Sequence, residues 1–213
     1  MNAEKPIGPV FTDIDVLDPR FAPVVANQPA LERLATGAIW SEGPVWIAED
    51  DSVLWSDIPN DRMLRWSARD GMRVWRERVE FTNGHTRDLD GSLLHCSHGL
   101  RAIFRTAVDG SGQRLVVDRW KGRRFNAPND IVVRSDGTIW FTDPPYGIVS
   151  DYEGHKAESE IGRCYVFRFD PATGALRIVS DFLEDPNGLA FSPDERVLYV
   201  SDTAAARHRD GNH

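Results

Sequence analysis

Apolar and polar positions along this chain alternate with a period of two, in short runs that come in pairs. Residues 41–57, 83–98, 129–143 and 187–202 share one grammar. Each opens on a polar residue that glycine usually follows: Glu42-Gly43, Asn83-Gly84 and Asn187-Gly188, with Asn129-Asp130 in the third. A short alternating run leads to an acidic turn at Asp50-Asp51, Asp90-Gly91, Asp136-Gly137 or Pro193-Asp194, and a second β-rich run ends on a polar or acidic residue. Side chains alternate across a strand and Asp-Gly pairs supply tight-turn conformations, so each segment predicts a β-hairpin. Further strand-like stretches follow the first three hairpins at 63–66, 102–106 and 164–169, and a fourth run follows at 114–117 and 176–179.

The modules start near 42, 83, 129 and 187, at spacings of 41, 46 and 58 residues. Four strands in each repeat of about 40–50 residues predict an all-β fold, a β-propeller, with about four blades represented. The longest spacing contains an insertion, residues 146–161, that is polar and reads as a loop. No long helix is predicted. Residues 1–35 form an N-terminal extension in which 30–35 can supply a short helical turn or a ring-closing strand, and 36–213 form the partial propeller. The fourth module stops after its inner hairpin, which would leave an unpaired edge, so the ring is expected to be truncated.

Composition narrows the partners. Hydrophobic residues make up 41% and charged residues 27%, ordinary for a globular protein, and seven Trp with ten Phe favour strands. A net charge of -8 argues against nucleic acid. The one basic cluster, residues 119–124, reads as a solvated loop. Cys96 and Cys164 are expected to be reduced and buried. No apolar run has the length of a signal peptide or membrane span, so a cytoplasmic protein without a membrane partner is expected.

Candidate chemistry follows from the repeat. In a propeller the innermost strands begin at one end of the central channel, so Glu42, Asn83, Asn129-Asp130 and Asn187 converge there. A single Asn-Gly is ordinary turn chemistry. Oxygen-bearing residues at one equivalent position in four modules go beyond that, and they suit a hard cation such as Ca²⁺, whereas Zn²⁺ would recruit His or Cys. In the run His95-Cys96-Ser97-His98 the alternation turns His95 and Cys96 to opposite faces, which favours packing over zinc. His98 ends its run near where Asp57, Asp143 and Asp202 end theirs; such strand-end aspartates most often hold backbone amides. There is no Gly-x-Ser-x-Gly elbow, so an enzyme here would use metal-assisted attack by water.

The runs 41–46, 126–131 with 135–143, and 186–193 with 198–203 resemble the gluconolactonase, regucalcin (senescence marker protein) and luciferin-regenerating enzyme family. The bacterial gluconolactonases match best, through residues 83–86 and 95–99. The resemblance implies a six-bladed propeller with one divalent cation, Ca²⁺ first with Zn²⁺, Mn²⁺ or Mg²⁺ as other candidates, and hydrolysis of a sugar lactone. It maps metal-binding residues onto Glu42, Asn129 and Asn187. Asn83, His98, Arg124, Asn126 and Asp143 are the candidates for substrate binding. The family's remaining ligand and favoured base is an Asp in a Pro-Asp-Gly motif, which does not occur after residue 203, so no catalytic base is assigned. A non-catalytic calcium-binding or scaffold propeller is the alternative.

Overall fold

The computed structural model describes residues 9–10, 14–25 and 31–206. Residues 1–8, expected to lack a leader, and 207–213, where truncation of the fourth module was expected, lie outside the described residues.

Contacts divide the chain at Gly37. In the first unit β1 (Pro9–Val10) pairs antiparallel with β2 (Leu31–Glu32), so the segment weighed between helical turn and strand is a strand here. A 3₁₀ turn at Pro19–Phe21 leads into a single helical turn, α1 (Ala22–Val25). Proline sits inside the start of that turn, and the Asp18 carboxylate accepts from the Arg20 amide at 2.9 Å.

The second unit, from Ala38 on, carries the repeats. Its first sheet is β3 (Ser41–Ile47), β4 (Ser52–Asp57), β5 (Arg62–Ser67) and β6 (Gly71–Glu77), in that order and antiparallel. The second is β7 (Thr82–Arg87), β8 (Leu93–Ser97), β9 (Ala102–Thr106) and β10 (Arg114–Val117). A ribbon of β11 (Arg119–Trp120) and β12 (Arg123–Arg124) precedes the third sheet. That sheet is β13 (Ile131–Val133), β14 (Ile139–Asp143), β15 (Tyr165–Asp170) and β16 (Ala175–Ser180), with the helical turn α2 (Tyr146–Val149) between β14 and β15. Among the described residues the fourth sheet is the hairpin of β17 (Pro186–Phe191) and β18 (Leu198–Asp202).

Two sequence expectations are corrected. The basic cluster is not a loop: Lys121 and Gly122 turn the ribbon through positive φ of 49° and 80°, the pattern of a tight two-residue hairpin, and the Lys121 ammonium sits 4.5 Å over the Trp120 ring. The first module also has a fourth strand, β6, which sequence reading missed. Its alternation is hidden because arginines cover positions left exposed or half-buried at the outer edge.

The polar-plus-glycine opening of the modules has a structural cause. In the inner hairpins of the first, second and fourth sheets the register slips by one residue: between Glu42 and Val45, between Thr82 and His85, and between Pro186 and Leu189. Each slip is a β-bulge at the polar-glycine dipeptide, a device that re-aims a side chain near a strand end.

The cores lie between neighbouring sheets. Val45, Ile47, Leu54, Met63 and Leu93 join the first sheet to the second. Leu94, Cys96, Ile103, Phe125, Ile131, Phe141 and Phe167 join the second to the third. The rings of Phe125, Phe141 and Phe167 are fully buried and stand 5.1–5.3 Å apart. Burial of each contributes about 1.5–3 kcal/mol. Cys96 is buried, and Cys164 is half-buried with its sulfur 4.0 Å from Asp185 Oδ1. Four-stranded antiparallel sheets whose first strands stand side by side in chain order are the blades of a β-propeller.

Candidate functional site

The starts of β3, β7, β13 and β17 touch in sequence order. The Gly84 amide donates to the Asn129 carbonyl at 2.8 Å. Ser56 on β4 donates to the Asn83 carbonyl at 2.9 Å, and Thr142 on β14 donates to the Asn187 carbonyl at 2.7 Å. A hydroxyl on the second strand of one blade therefore latches the head of the next. Cys96 occupies the equivalent place in the second blade, and there the Gly84 amide makes the joint.

Asp130 stands where the other modules have glycine, and its carboxylate accepts from the Leu189 amide at 3.0 Å and from Ile131 at 2.9 Å. It ties the third blade to the fourth; burial pushes its pKa up, with Glu42 adding to the rise.

These joints bring Glu42, Asn83, Asn129 and Asn187 to one end of the inner strands. Glu42 is half-buried, and its carboxylate accepts from Trp40 Nε1 at 3.3 Å. Asn129 is 4% exposed, and its side-chain amide makes no hydrogen bond among the described residues. Asn187 Nδ2 donates to Thr203 Oγ1 at 3.2 Å.

His98 joins this group. Its Nδ1 donates to the Glu153 carbonyl at 2.9 Å, which leaves Nε2 to accept from Asn83 Nδ2 at 3.1 Å. Burial lowers its pKa to about 4, so the ring is neutral at pH 7 with its tautomer set by these two partners. Asn83 is thereby oriented with its amide nitrogen engaged and its oxygen without a hydrogen-bond partner among the described residues.

The register puts Ser97, not His98, in the place of the strand-end aspartates, since Ser97 opposes Thr82 as Asp57 opposes Ser41 and Asp202 opposes Pro186. Those aspartates brace the backbone entering each blade. Asp57 accepts from Ile39 and Trp40, Asp143 from Asn126 and Ala127, and Asp202 from Glu184 and Asp185. Asp143 and Asn126, expected as candidates for substrate binding, make hydrogen bonds within the protein. Each oxygen of the buried Asp143 holds an amide, and Asn126 bonds the carbonyls of Asp143 and Arg163 and the hydroxyl of Ser159. Arg124, another candidate, places one guanidinium nitrogen on the Leu100 carbonyl at 2.9 Å.

A polar chain runs from Asn83 into the blades. Ser56 accepts from His85 Nε2 at 2.8 Å, His85 Nδ1 accepts from His95 Nδ1 at 2.8 Å, and Thr106 Oγ1 lies 2.9 Å from His95 Nε2. Burial lowers the His85 pKa to about 3, against 6.5 for a free histidine. The unfolded chain therefore binds this proton first, and the stability His85 contributes is present above pH 6.5 and is lost as pH falls towards 3. Asp143 and Glu153, each pushed up to about 7 mainly by burial, slope the opposite way, so the informative comparison is with a variant. The stability gap between wild type and His85→Gln narrows by about 1.4 kcal/mol per pH unit below 6.5. Urea midpoints from pH 7 to 5 read this; a gap constant with pH contradicts a neutral buried His85.

Sequence reading missed Glu153. It lies in the insertion read as a loop, which contains α2 and reaches back to His98. Its side chain is 24% exposed, and burial and the charge of Glu42 raise its pKa to about 7. No periodicity marks it; the only signal was the length of the third spacing, since long insertions in compact folds are commonly functional.

Among the described residues no three His, Cys, Asp or Glu side chains are grouped to hold a metal ion. A cation at the strand heads would therefore rest on a mixed set: one carboxylate, Glu42, and the amide oxygens of Asn129 and Asn187. That chemistry fits a hard ion, which takes carbonyl-type oxygens readily, and it would give the Asn129 amide a partner.

Residues 40–209 match the SMP-30/Gluconolactonase/LRE-like region. A gluconolactonase from Zymomonas mobilis is 34% identical over 212 residues, covering 93% of this chain and 59% of that protein. The structure of a gluconolactonase from Xanthomonas campestris superposes with a TM-score of 0.80 at 42% identity, over 85% of this chain and 61% of that one. The chain thus spans less than two thirds of either relative. A calcium-binding regucalcin from Agrobacterium tumefaciens shares the fold at 17% identity, with a TM-score of 0.59 over 80% of this chain and 52% of that one. No helix among the described residues is long and apolar enough to cross a membrane.

Proposed function

The chain belongs to the SMP-30/gluconolactonase/LRE-like family, and from that premise we propose that it serves the hydrolysis of a sugar lactone with one divalent cation, Ca²⁺ foremost, held by Glu42, Asn129 and Asn187. The observation that carries the cation is Asn129, a residue 4% exposed whose side-chain amide makes no hydrogen bond among the described residues, between neighbours that offer oxygen at the equivalent positions. The lactone comes from the relatives named gluconolactonase.

Hydrolysis adds water to the lactone carbonyl and breaks the acyl–ring oxygen bond; the ring oxygen leaves as a hydroxyl and the new carboxylic acid releases a proton. A divalent cation at the strand heads supplies Lewis-acid polarisation of that carbonyl. The chain's own residues prepare the place. The bulges at Gly43, Gly84 and Gly188 turn the preceding polar side chains to a common end, and Asp130 and the Thr142 hydroxyl fix the third and fourth blades against each other. His98 holds Asn83 by its amide nitrogen, which leaves the Asn83 side-chain oxygen available to a ligand.

Titration calorimetry with CaCl₂ tests the cation. Wild type takes one ion per chain, and Asn129→Ala weakens it at least about tenfold, about 1.4 kcal/mol. Equal affinity in a folded Asn129→Ala protein would remove Asn129 from the site.

A further inference from the structure

The insertion between β14 and β15 is built onto the strand heads at several points. At its start Tyr146 Oη lies 2.7 Å from Thr203 Oγ1, the same hydroxyl that accepts from Asn187. Gly147 packs on His98 so closely that a Cβ there would overlap the His98 Cβ and stand 2.9 Å from the Ala127 Cβ. Gly154 in turn packs on Gly147, where an added Cβ would lie 2.7 Å from the Gly147 Cα. The Ala157 amide closes the segment by donating to the Ile148 carbonyl at 3.0 Å. Within it the His155 ring stands edge-on to Phe81 at 5.3 Å, with Nε2 3.2 Å from Glu80 Oε2. The segment is thus a strap, tied to the second and fourth blades, and Glu153 is fixed on it by the bond from His98 to its carbonyl.

The Glu153 carboxyl has been left without a protein donor. It is three-quarters buried, and its oxygens make no hydrogen bond among the described residues. His98 Nδ1 lies 4.0 Å from Oε2 and gives its proton to the Glu153 carbonyl instead. Facing it are the charge of Glu42 and, through His98, the Asn83 amide whose oxygen is also free. A carboxyl removed from water without a donor is unfavourable unless a ligand supplies one.

We propose that Glu153 is a specificity-determining residue that bonds the hydroxyl groups of a polyhydroxylated lactone through its carboxyl, with Asn83 as its neighbour. This rests on the lactone reading of the same site. Hydroxyls are the fitting partner because they both donate and accept, and so pair with the carboxyl in either protonation state.

The test uses the full chain and glucono-1,5-lactam, a lactone analogue that keeps the hydroxyls and resists hydrolysis. Calorimetry on wild type, Glu153→Gln and Glu153→Ala is compared with CaCl₂ binding by the same proteins. Glu153→Ala is expected to weaken lactam binding roughly 10- to 100-fold, the loss of a hydrogen bond to a charged group, and Glu153→Gln less, while Ca²⁺ affinity stays within about twofold. Unchanged lactam affinity in Glu153→Ala overturns the proposal. A parallel loss of Ca²⁺ affinity also overturns it, by making Glu153 a ligand of the ion. Lactam binding that depends on Glu153 in a protein that hydrolyses no lactone would sink the hydrolase reading alone; turnover with lactam binding indifferent to Glu153 would sink this proposal alone.

Discussion

Converting Glu42 to glutamine lowers kcat/KM for lactone hydrolysis by at least about 100-fold, ~2.7 kcal/mol of transition-state stabilisation, while the protein stays folded. The two halves of that expectation have separate causes. Glu42 is the one carboxylate in the proposed donor set, so the amide keeps an oxygen but loses the charge that holds a divalent ion and offsets its own charge. Structurally little depends on it. The side chain is half-buried and accepts a hydrogen bond from the Trp40 indole at 3.3 Å, which a glutamine oxygen can accept equally. Acid release followed at constant pH, beside a thermal melt of the same sample, separates the two. Full turnover in a folded Glu42→Gln protein would end the assignment.

Alanine at Gly84 destabilises the fold by roughly 3 kcal/mol, the upper range for forcing a group into filled space. A Cβ there would overlap the Asn129 carbonyl oxygen and stand 2.8 Å from the Asp130 Cα, and both are backbone atoms that cannot swing aside. The same approach carries the bond from the Gly84 amide to Asn129, so the clash forces the second and third blades apart at their joint. Gly188, in the matching place of the fourth module, is an internal control. Its added Cβ meets only the Ser201 hydroxyl at 3.4 Å and the Asp130 carboxylate at 3.8 Å. Alanine there changes stability by less than about 1 kcal/mol. In a chain of this size the Gly84 variant should melt roughly 6–12 °C lower. Equal melting temperatures for the two variants would mean that the strand heads are not packed as described.

Much of this was legible because it rests on short-range rules. Period-2 runs and Asp-Gly turns mark the hairpins, and recurrence in order marks the blades. The missed strand, β6, carries arginines at an outer edge where few side chains are buried, so its alternation has little apolar contrast. The ribbon at 119–124 was hidden for a related reason: its turn is Lys-Gly with positive φ, a conformation that sequence flags weakly when the first residue is lysine.

The site divides in the same way. Glu42, Asn83, Asn129 and Asn187 stand out as candidates because the repeat puts them in equivalent places. Asn126 and Asp143 sit in a family-like motif, yet they face backbone amides and carbonyls, a distinction that only three-dimensional partners make. Glu153 had no pattern to betray it, since a strap docked by glycine contacts and a histidine bond is specified by long-range fit rather than by periodicity.

The most direct test of the central claim is acid release from glucono-1,5-lactone at constant pH, measured on wild-type protein before chelation, after chelation and after return of Ca²⁺. Catalysed release above the spontaneous rate that disappears on chelation and returns with Ca²⁺ is the predicted result. Catalysed release that chelation leaves untouched, or none above the spontaneous rate with Ca²⁺ present, would contradict it.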